Sequence, residues 1–104
     1  MATYVLVYKG GGEPATDAER EAVMAAWGKW FGVLGDSVVD GGNPFGPSKT
    51  VAANGTVRDG ASSALTGYSI LKADNIAAAT NFAKGCPILT SGGSVEVYET
   101  FNAM

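Results

Sequence analysis

Leu65-Thr-Gly-Tyr-Ser-Ile-Leu-Lys-Ala-Asp-Asn-Ile-Ala-Ala-Ala-Thr-Asn-Phe-Ala-Lys-Gly-Cys-Pro-Ile-Leu-Thr-Ser-Gly-Gly-Ser-Val-Glu-Val-Tyr-Glu99 holds a strand, a helix and a second strand, each with its boundaries marked. Leu65 to Leu71 is rich in β-branched and aromatic residues, as strands are. Asp74 is placed to cap a helix over Asn75 to Lys84, and Gly85-Cys-Pro87 stops it. From Ser94 to Glu99 polar and apolar residues alternate with a period of two, so one face of that strand is buried and the other is not.

Working outward, Thr3 to Lys9 reads as a first strand, apolar on both faces through Val5, Leu6 and Val7 and therefore covered on both sides. Gly10-Gly-Gly12 and Pro14 break it. Thr16 and Glu19 form a capping box, whose hydroxyl and carboxylate satisfy backbone N–H groups of the first helical turn. The helix that follows runs to about Leu34. Val23, Trp27, Trp30, Phe31 and Leu34 recur at spacings of three and four, which puts them on one core-facing stripe. Gly28 and Gly32 lie beside that stripe. Each costs about 1 kcal/mol relative to alanine in a helix interior, so a backbone or a bulky ring is expected to pack close against them. Gly35 is placed to end the helix with a left-handed residue.

Ser37 to Asp40 reads as a short strand, followed by a loop of turn residues from Gly41 to Pro47. Lys49 to Ala53 and Thr56 to Asp59 read as two strands around Asn54-Gly55, a pair suited to a two-residue type I′ turn. Gly60 to Ala64 is a linker. The order strand, helix, strand, hairpin, strand, helix, strand is an α+β arrangement. It is the split βαβ pattern of ferredoxin-like folds with a hairpin inserted, giving an antiparallel sheet with two helices on one face. Its other face needs a cover, and a second copy of the chain supplies one.

The whole chain of 104 residues makes one domain, residues 1–104. Charged residues are 16% of it and apolar residues 46%. Such a low charge content, against about 25% in ordinary soluble domains, also points to surface hidden against a copy of itself. The net charge is −3 and no Lys or Arg cluster stands out, which excludes phosphate-driven binding of nucleic acid. The first residues lack the basic region of a secretion signal, and no apolar run approaches the ~20 residues that span a bilayer, so a cytoplasmic protein off the membrane is expected. Cys86 has no partner within the chain and is expected to be structural.

With no histidine in the chain, Ser-His-Asp triads, Cys-His pairs, His-ligated zinc and imidazole proton shuttles are excluded. The carboxylates do not cluster at metal-ligand spacings, so neither a metal nor a cofactor is expected. Asp40 is the candidate base, because it ends an apolar strand at a glycine-rich loop from which a carboxylate can project into a cleft. Before Gly-Gly capping a turn is the commoner role of such a residue. Trp30 is the aromatic candidate for lining that cleft, since indoles are seldom fully enclosed, while Trp27 is expected in the core. Asn43, Ser48, Lys49 and Tyr68 are the expected polar contacts.

Trp27-Gly-Lys-Trp-Phe, the segment from Val39 to Gly46, Gly67-Tyr-Ser-Ile-Leu with Ala73-Asp, and Ala83-Lys-Gly-Cys-Pro followed by Gly92-Gly-Ser-Val-Glu-Val-Tyr98 together resemble the YCII-related family. The resemblance covers nearly the whole chain. It implies a dimeric α+β barrel that binds a small molecule, and in some members a His and Asp pair of suspected catalytic role. This chain has no histidine to carry that pair over. In place of the superfamily's Asp-Gly-Pro-Phe motif it has Asp40-Gly-Gly-Asn-Pro-Phe45. The expectation is therefore a homodimer, or a higher oligomer, that binds a small, mostly apolar molecule between the first helix, the sheet and the loop from Asp40 to Ser48. The rival expectations are a cofactor-free lyase, isomerase or hydrolase with Asp40 as base and Tyr68 or Lys49 as acid, and a structural or regulatory dimer without ligand.

Overall fold

The computed structural model describes residues 1–11 and 14–103. Gly12 of the expected strand-breaking glycine run lies outside the described residues. In chain order the elements are β1 (Ala2–Lys9), α1 (Asp17–Leu34), a 3₁₀ turn (Gly35–Ser37), β2 (Val38–Asp40), β3 (Lys49–Val51), β4 (Val57–Asp59), β5 (Leu65–Ala73), α2 (Ile76–Ala83), a second 3₁₀ turn (Pro87–Ser91) and β6 (Ser94–Glu99). Four strands make an antiparallel sheet in the order β2-β5-β1-β6, and β3 and β4 form a separate two-stranded sheet. The protein is thus α+β.

The period-two alternation of β1 decides which side is the core. Tyr4, Leu6 and Tyr8 are buried, and so are Ser69, Leu71 and Ala73 of β5, on the face where Trp30 and Leu34 of α1 and Ala79 and Ala83 of α2 pack. Val5, Val7, Tyr68 and Ile70 point the other way and are only half-buried. β1 is therefore apolar on both faces, as its sequence reads, while only one face is covered within the chain. No helix among the described residues is long and apolar enough to cross a membrane.

Helix ends follow side-chain chemistry. Thr16 Oγ1 accepts from the Glu19 N–H at 3.1 Å, and Glu19 Oε2 accepts from Ala15 N–H at 2.8 Å, one residue before the position the capping box names. Gly35 closes α1 with φ +54° and gives its N–H to Phe31 C=O. At α2 the expected cap is corrected: Asn75, not Asp74, accepts from Ala78 N–H at 2.8 Å. Both residue types can cap, and the chain's entry angle selects the second.

Two further expectations give way to the geometry. A Cβ added at Gly28 or Gly32 would meet nothing within 4 Å, so these glycines face open space rather than a close neighbour. In the hairpin, Ala52 N–H donates to Thr56 C=O at 2.8 Å and Gly55 N–H to Ala52 C=O at 2.9 Å. Within the turn only Gly55 has positive φ. This is the three-residue loop with a left-handed glycine, not a two-residue type I′ turn, because the pairing continues from Ala52 to Thr56 and leaves three residues to close it.

Candidate functional site

β2 leaves the regular ladder at its end, and that departure opens a cavity. Val38 lies opposite Leu71, but Asp40 lies opposite Ile70, so the register shifts between them. The chain turns through Gly41-Gly42 and rejoins β5 further along, where Phe45 N–H donates to Thr66 C=O at 2.9 Å and Tyr68 N–H to Asn43 C=O at 3.4 Å. Pro44 bridges to Gly67. At the turn Gly42 has φ +76°, and a Cβ there would overlap the Tyr68 carbonyl oxygen and lie 2.6 Å from its carbon. Only glycine lets the two backbones approach this closely.

Side chains beneath pin this bulge. Tyr8 OH donates to Ser69 Oγ at 2.6 Å, and Ser69 Oγ donates to Gly41 C=O at 2.7 Å. Ser69 is fully buried, so its hydroxyl needs both partners. From the other side, Asp40 Oδ1 accepts from Gly42 N–H at 2.8 Å.

Between this loop, β5 and α1 lies a cavity of about 300 Å³. Tyr8, Trp27 and Phe31 form its aromatic wall, Gly41 to Pro44 its rim, and Thr66, Gly67 and Tyr68 its remaining side. Trp27 meets Tyr8 edge to face with ring centroids 5.1 Å apart and lies 5.9 Å from the Phe31 ring. Among the described residues no charged side chain lines it. Burial pushes the Tyr8 hydroxyl well above its ordinary pKa, with the Ser69 hydrogen bond acting in the opposite sense. At neutral pH Tyr8 is a protonated donor.

The expected site residues divide. Asn43 and Tyr68 line this cavity. Asp40 is exposed at its margin, outside the lining, with one carboxylate oxygen on Gly42 N–H and the other 3.4 Å from Tyr68 OH. The structure thus brings Asp40 and Tyr68 together, with the carboxylate engaged in the turn. Trp30, expected at the cleft, is 6% exposed and absent from its lining. Its Nε1–H donates to Phe82 C=O at 2.9 Å, tying α1 to the end of α2. The two indoles exchange their expected places because α2 ends over Trp30 and leaves Trp27 over Tyr8. Ser48 lines a second cavity of about 320 Å³, with Phe45, Pro47, Ala61, Ala64 and Leu65, at the root of the hairpin. Lys49 lies beyond it and pairs with Asp59.

Tyr8, Phe31, Gly42 and Thr66 were not among the expected site residues. Their signals in sequence, strand alternation, a helical stripe and a turn glycine, are also those of ordinary packing. Cys86 is buried, and burial pushes its thiol up to about 11. Among the described residues no three potential metal ligands cluster. Comparison with protein families, with curated proteins and with solved structures returned no match.

Proposed function

We propose that the protein is a homodimer that binds a small, neutral, mostly apolar molecule in the cavity between α1, β5 and the Gly41–Pro44 loop. The observation that carries this reading is the cavity's lining: three aromatic rings, a glycine-rich rim and, among the described residues, no charged side chain around about 300 Å³, at the small end of the range of ligand pockets. Apolar walls reward desolvation of an apolar ligand. Asn43 and Tyr68 are among the residues lining the cavity and would supply its polar contacts. The rim is held by buried hydrogen bonds from Ser69, so the space need not be created by the ligand.

The reading of the fold that goes with it is a ferredoxin-like sheet in a dimeric α+β barrel, as in the YCII-related proteins the sequence resembles. The order β2-β5-β1-β6 with helices returning over one face supports it. The half-buried Val5, Val7 and Ile70 on the other face, beside Tyr68, exposed Phe45 and exposed Tyr98, supply a surface for a second copy.

Titration of isotope-labelled protein with indole, naphthol and naphthoate, followed by NMR, tests the ligand. Saturable shifts at the Trp27 indole and the amides of Asn43 and Gly67, with naphthol stronger than naphthoate, are expected. Shifts confined to other residues, or none at millimolar probe, would refute the site.

A further inference from the structure

The β3–β4 hairpin stands out from the body of the molecule. The chain's radius of gyration is 15.2 Å, against about 13 Å for a compact domain of this length. An isolated two-stranded hairpin is marginally stable in water, and neither strand of this one packs extensively on any other element. Lys49 pairs with Asp59, Thr50 with Arg58 and Val51 with Val57. Since side chains alternate, Lys49, Val51, Val57 and Asp59 share one face of the arm. Val51 is 67% and Val57 55% exposed, and the Lys49–Asp59 ion pair lies beside them. The root is fixed by Gly60 N–H donating to Ser48 C=O at 2.8 Å and by Thr50 Oγ1 donating to Gly60 C=O at 2.7 Å. The arm is thus held at its base and uncovered along its length.

We propose that this arm is a clasp between two copies of the chain, its Lys49, Val51, Val57 and Asp59 face seated on the same face of a second copy. An isologous contact demands a surface that is its own complement. Here the ladder supplies one. A two-fold axis parallel to the strands lays Val51 of each copy on Val57 of the other and sets Lys49 of each beside Asp59 of the other. An axis across the strands would instead place lysine and aspartate on valine and leave the charges unmatched, so the pattern selects one arrangement. A face with equal and opposite charges in a fixed row matches its own copy. It has no excess of either sign to attract a charged partner.

Four side chains per copy are too few for a stable interface, which takes about 800 Å² from each partner. The clasp therefore rests on the reading that the open sheet face pairs with a second copy, and it adds to that contact. Covering both valines removes the arm's exposed apolar surface and gives the hairpin the support that it lacks within one chain.

Sedimentation and disulfide trapping test this on the full chain. Val57→Lys should weaken dimerisation by about tenfold, a difference of ~1.4 kcal/mol, with circular dichroism unchanged. Mixing Val51→Cys with Val57→Cys chains under mild oxidation should give covalent dimers, and either variant alone far fewer. Buried Cys86 does not compete. A parent that dimerises, is indifferent to Val57→Lys and yields no mixed disulfide overturns the clasp and leaves the sheet-face dimer standing. Weakened dimers without the mixed disulfide overturn the arm-to-arm pairing. A parent that is monomeric at micromolar concentration overturns the clasp and the sheet-face reading together.

Discussion

Replacing Gly42 by alanine should be among the most damaging single-methyl changes available to this chain. Positive φ alone is a modest part of the loss, about 1–2 kcal/mol for a non-glycine residue. Ala64, at φ +52°, shows that the fold accommodates one alanine in such a conformation. The larger part comes from contact, since the new Cβ would overlap the Tyr68 carbonyl, and both sides of that contact are backbone. Relief requires the Gly41–Asn43 segment to lift from β5. Lifting it breaks the bonds from Gly42 N–H to Asp40, from Tyr68 N–H to Asn43 and from buried Ser69 to Gly41. Each is worth about 1 kcal/mol net, and more where a buried hydroxyl loses its acceptor. The sum is about 3–5 kcal/mol, or a fall in melting temperature of roughly 15–30 °C for a domain of this size. Thermal unfolding of Gly42→Ala beside Gly46→Ala measures it. Gly46 has open space around its Cβ position and no positive φ, so its variant should melt near the parent. A loss below about 5 °C for Gly42→Ala would refute the argument that backbone approach shapes the rim.

Four other outcomes follow from the same geometry. Gly28→Ala and Gly32→Ala should each raise stability by about 0.5–1 kcal/mol in denaturant unfolding, because both glycines sit in an exposed helix interior with free space; a loss at either would mean that α1 is covered there. Trp30→Ala should cost about 3–5 kcal/mol and exceed the loss from half-buried Trp27→Ala, and the reverse order would show that their places are misassigned. Asp40→Asn, which keeps an oxygen for Gly42 N–H, should be milder than Asp40→Ala, which loses about 1 kcal/mol with that bond, and equal melting temperatures would deny the carboxylate its turn. Alkaline pH should destabilise the fold: burial raises the Cys86 thiol from 9.0 to about 11, and burial, then the Glu99 carboxylate, raises Tyr4 from 10.0 to about 12. The unfolded chain sheds those protons first, so stability is full below about pH 9 and falls as pH rises through these ranges. Cys86→Ala should delay the onset, and a denaturant midpoint that stays level up to about pH 11 would contradict the burial of both groups.

The elements were legible in the sequence because each is specified by residues a few positions apart. Thr16 and Glu19 start α1, Gly35 ends it, an apolar run marks β1, a β-branched and aromatic run marks β5, and alternation marks β6. Where local chemistry allows two answers the reading errs. Asp74 and Asn75 are both competent caps, and only the path from β5 into α2 decides for Asn75. Asn54-Gly55 suits more than one hairpin loop, and the pairing of Ala52 with Thr56 decides which. Gly28 and Gly32 reveal the reverse error. A glycine in a helix suggests close packing, yet among the described residues nothing outside the helix comes within 4 Å of a Cβ at either position.

The site was less legible because its parts are defined across the chain rather than along it. Trp27 and Trp30 lie on one stripe three residues apart, and nothing local distinguishes them. The difference is that the end of α2 offers Trp30 the Phe82 carbonyl, while Trp27 meets the ring of Tyr8 from β1. Gly42 likewise reads as a turn residue, although its indispensable property is the contact with a carbonyl 26 positions later, at Tyr68. Ser69 looks like a strand residue of no distinction until burial obliges its hydroxyl to find both Tyr8 and Gly41. The Trp27, Gly42 and Ser69 contacts share one physical effect: each fixes backbone at the rim or a ring at the wall, and none places a charge within the cavity. Selectivity in such a space would come from shape and desolvation, which leave no residue motif in the sequence, so the proposed binding of an apolar molecule asks for none of the catalytic signatures that the sequence lacks.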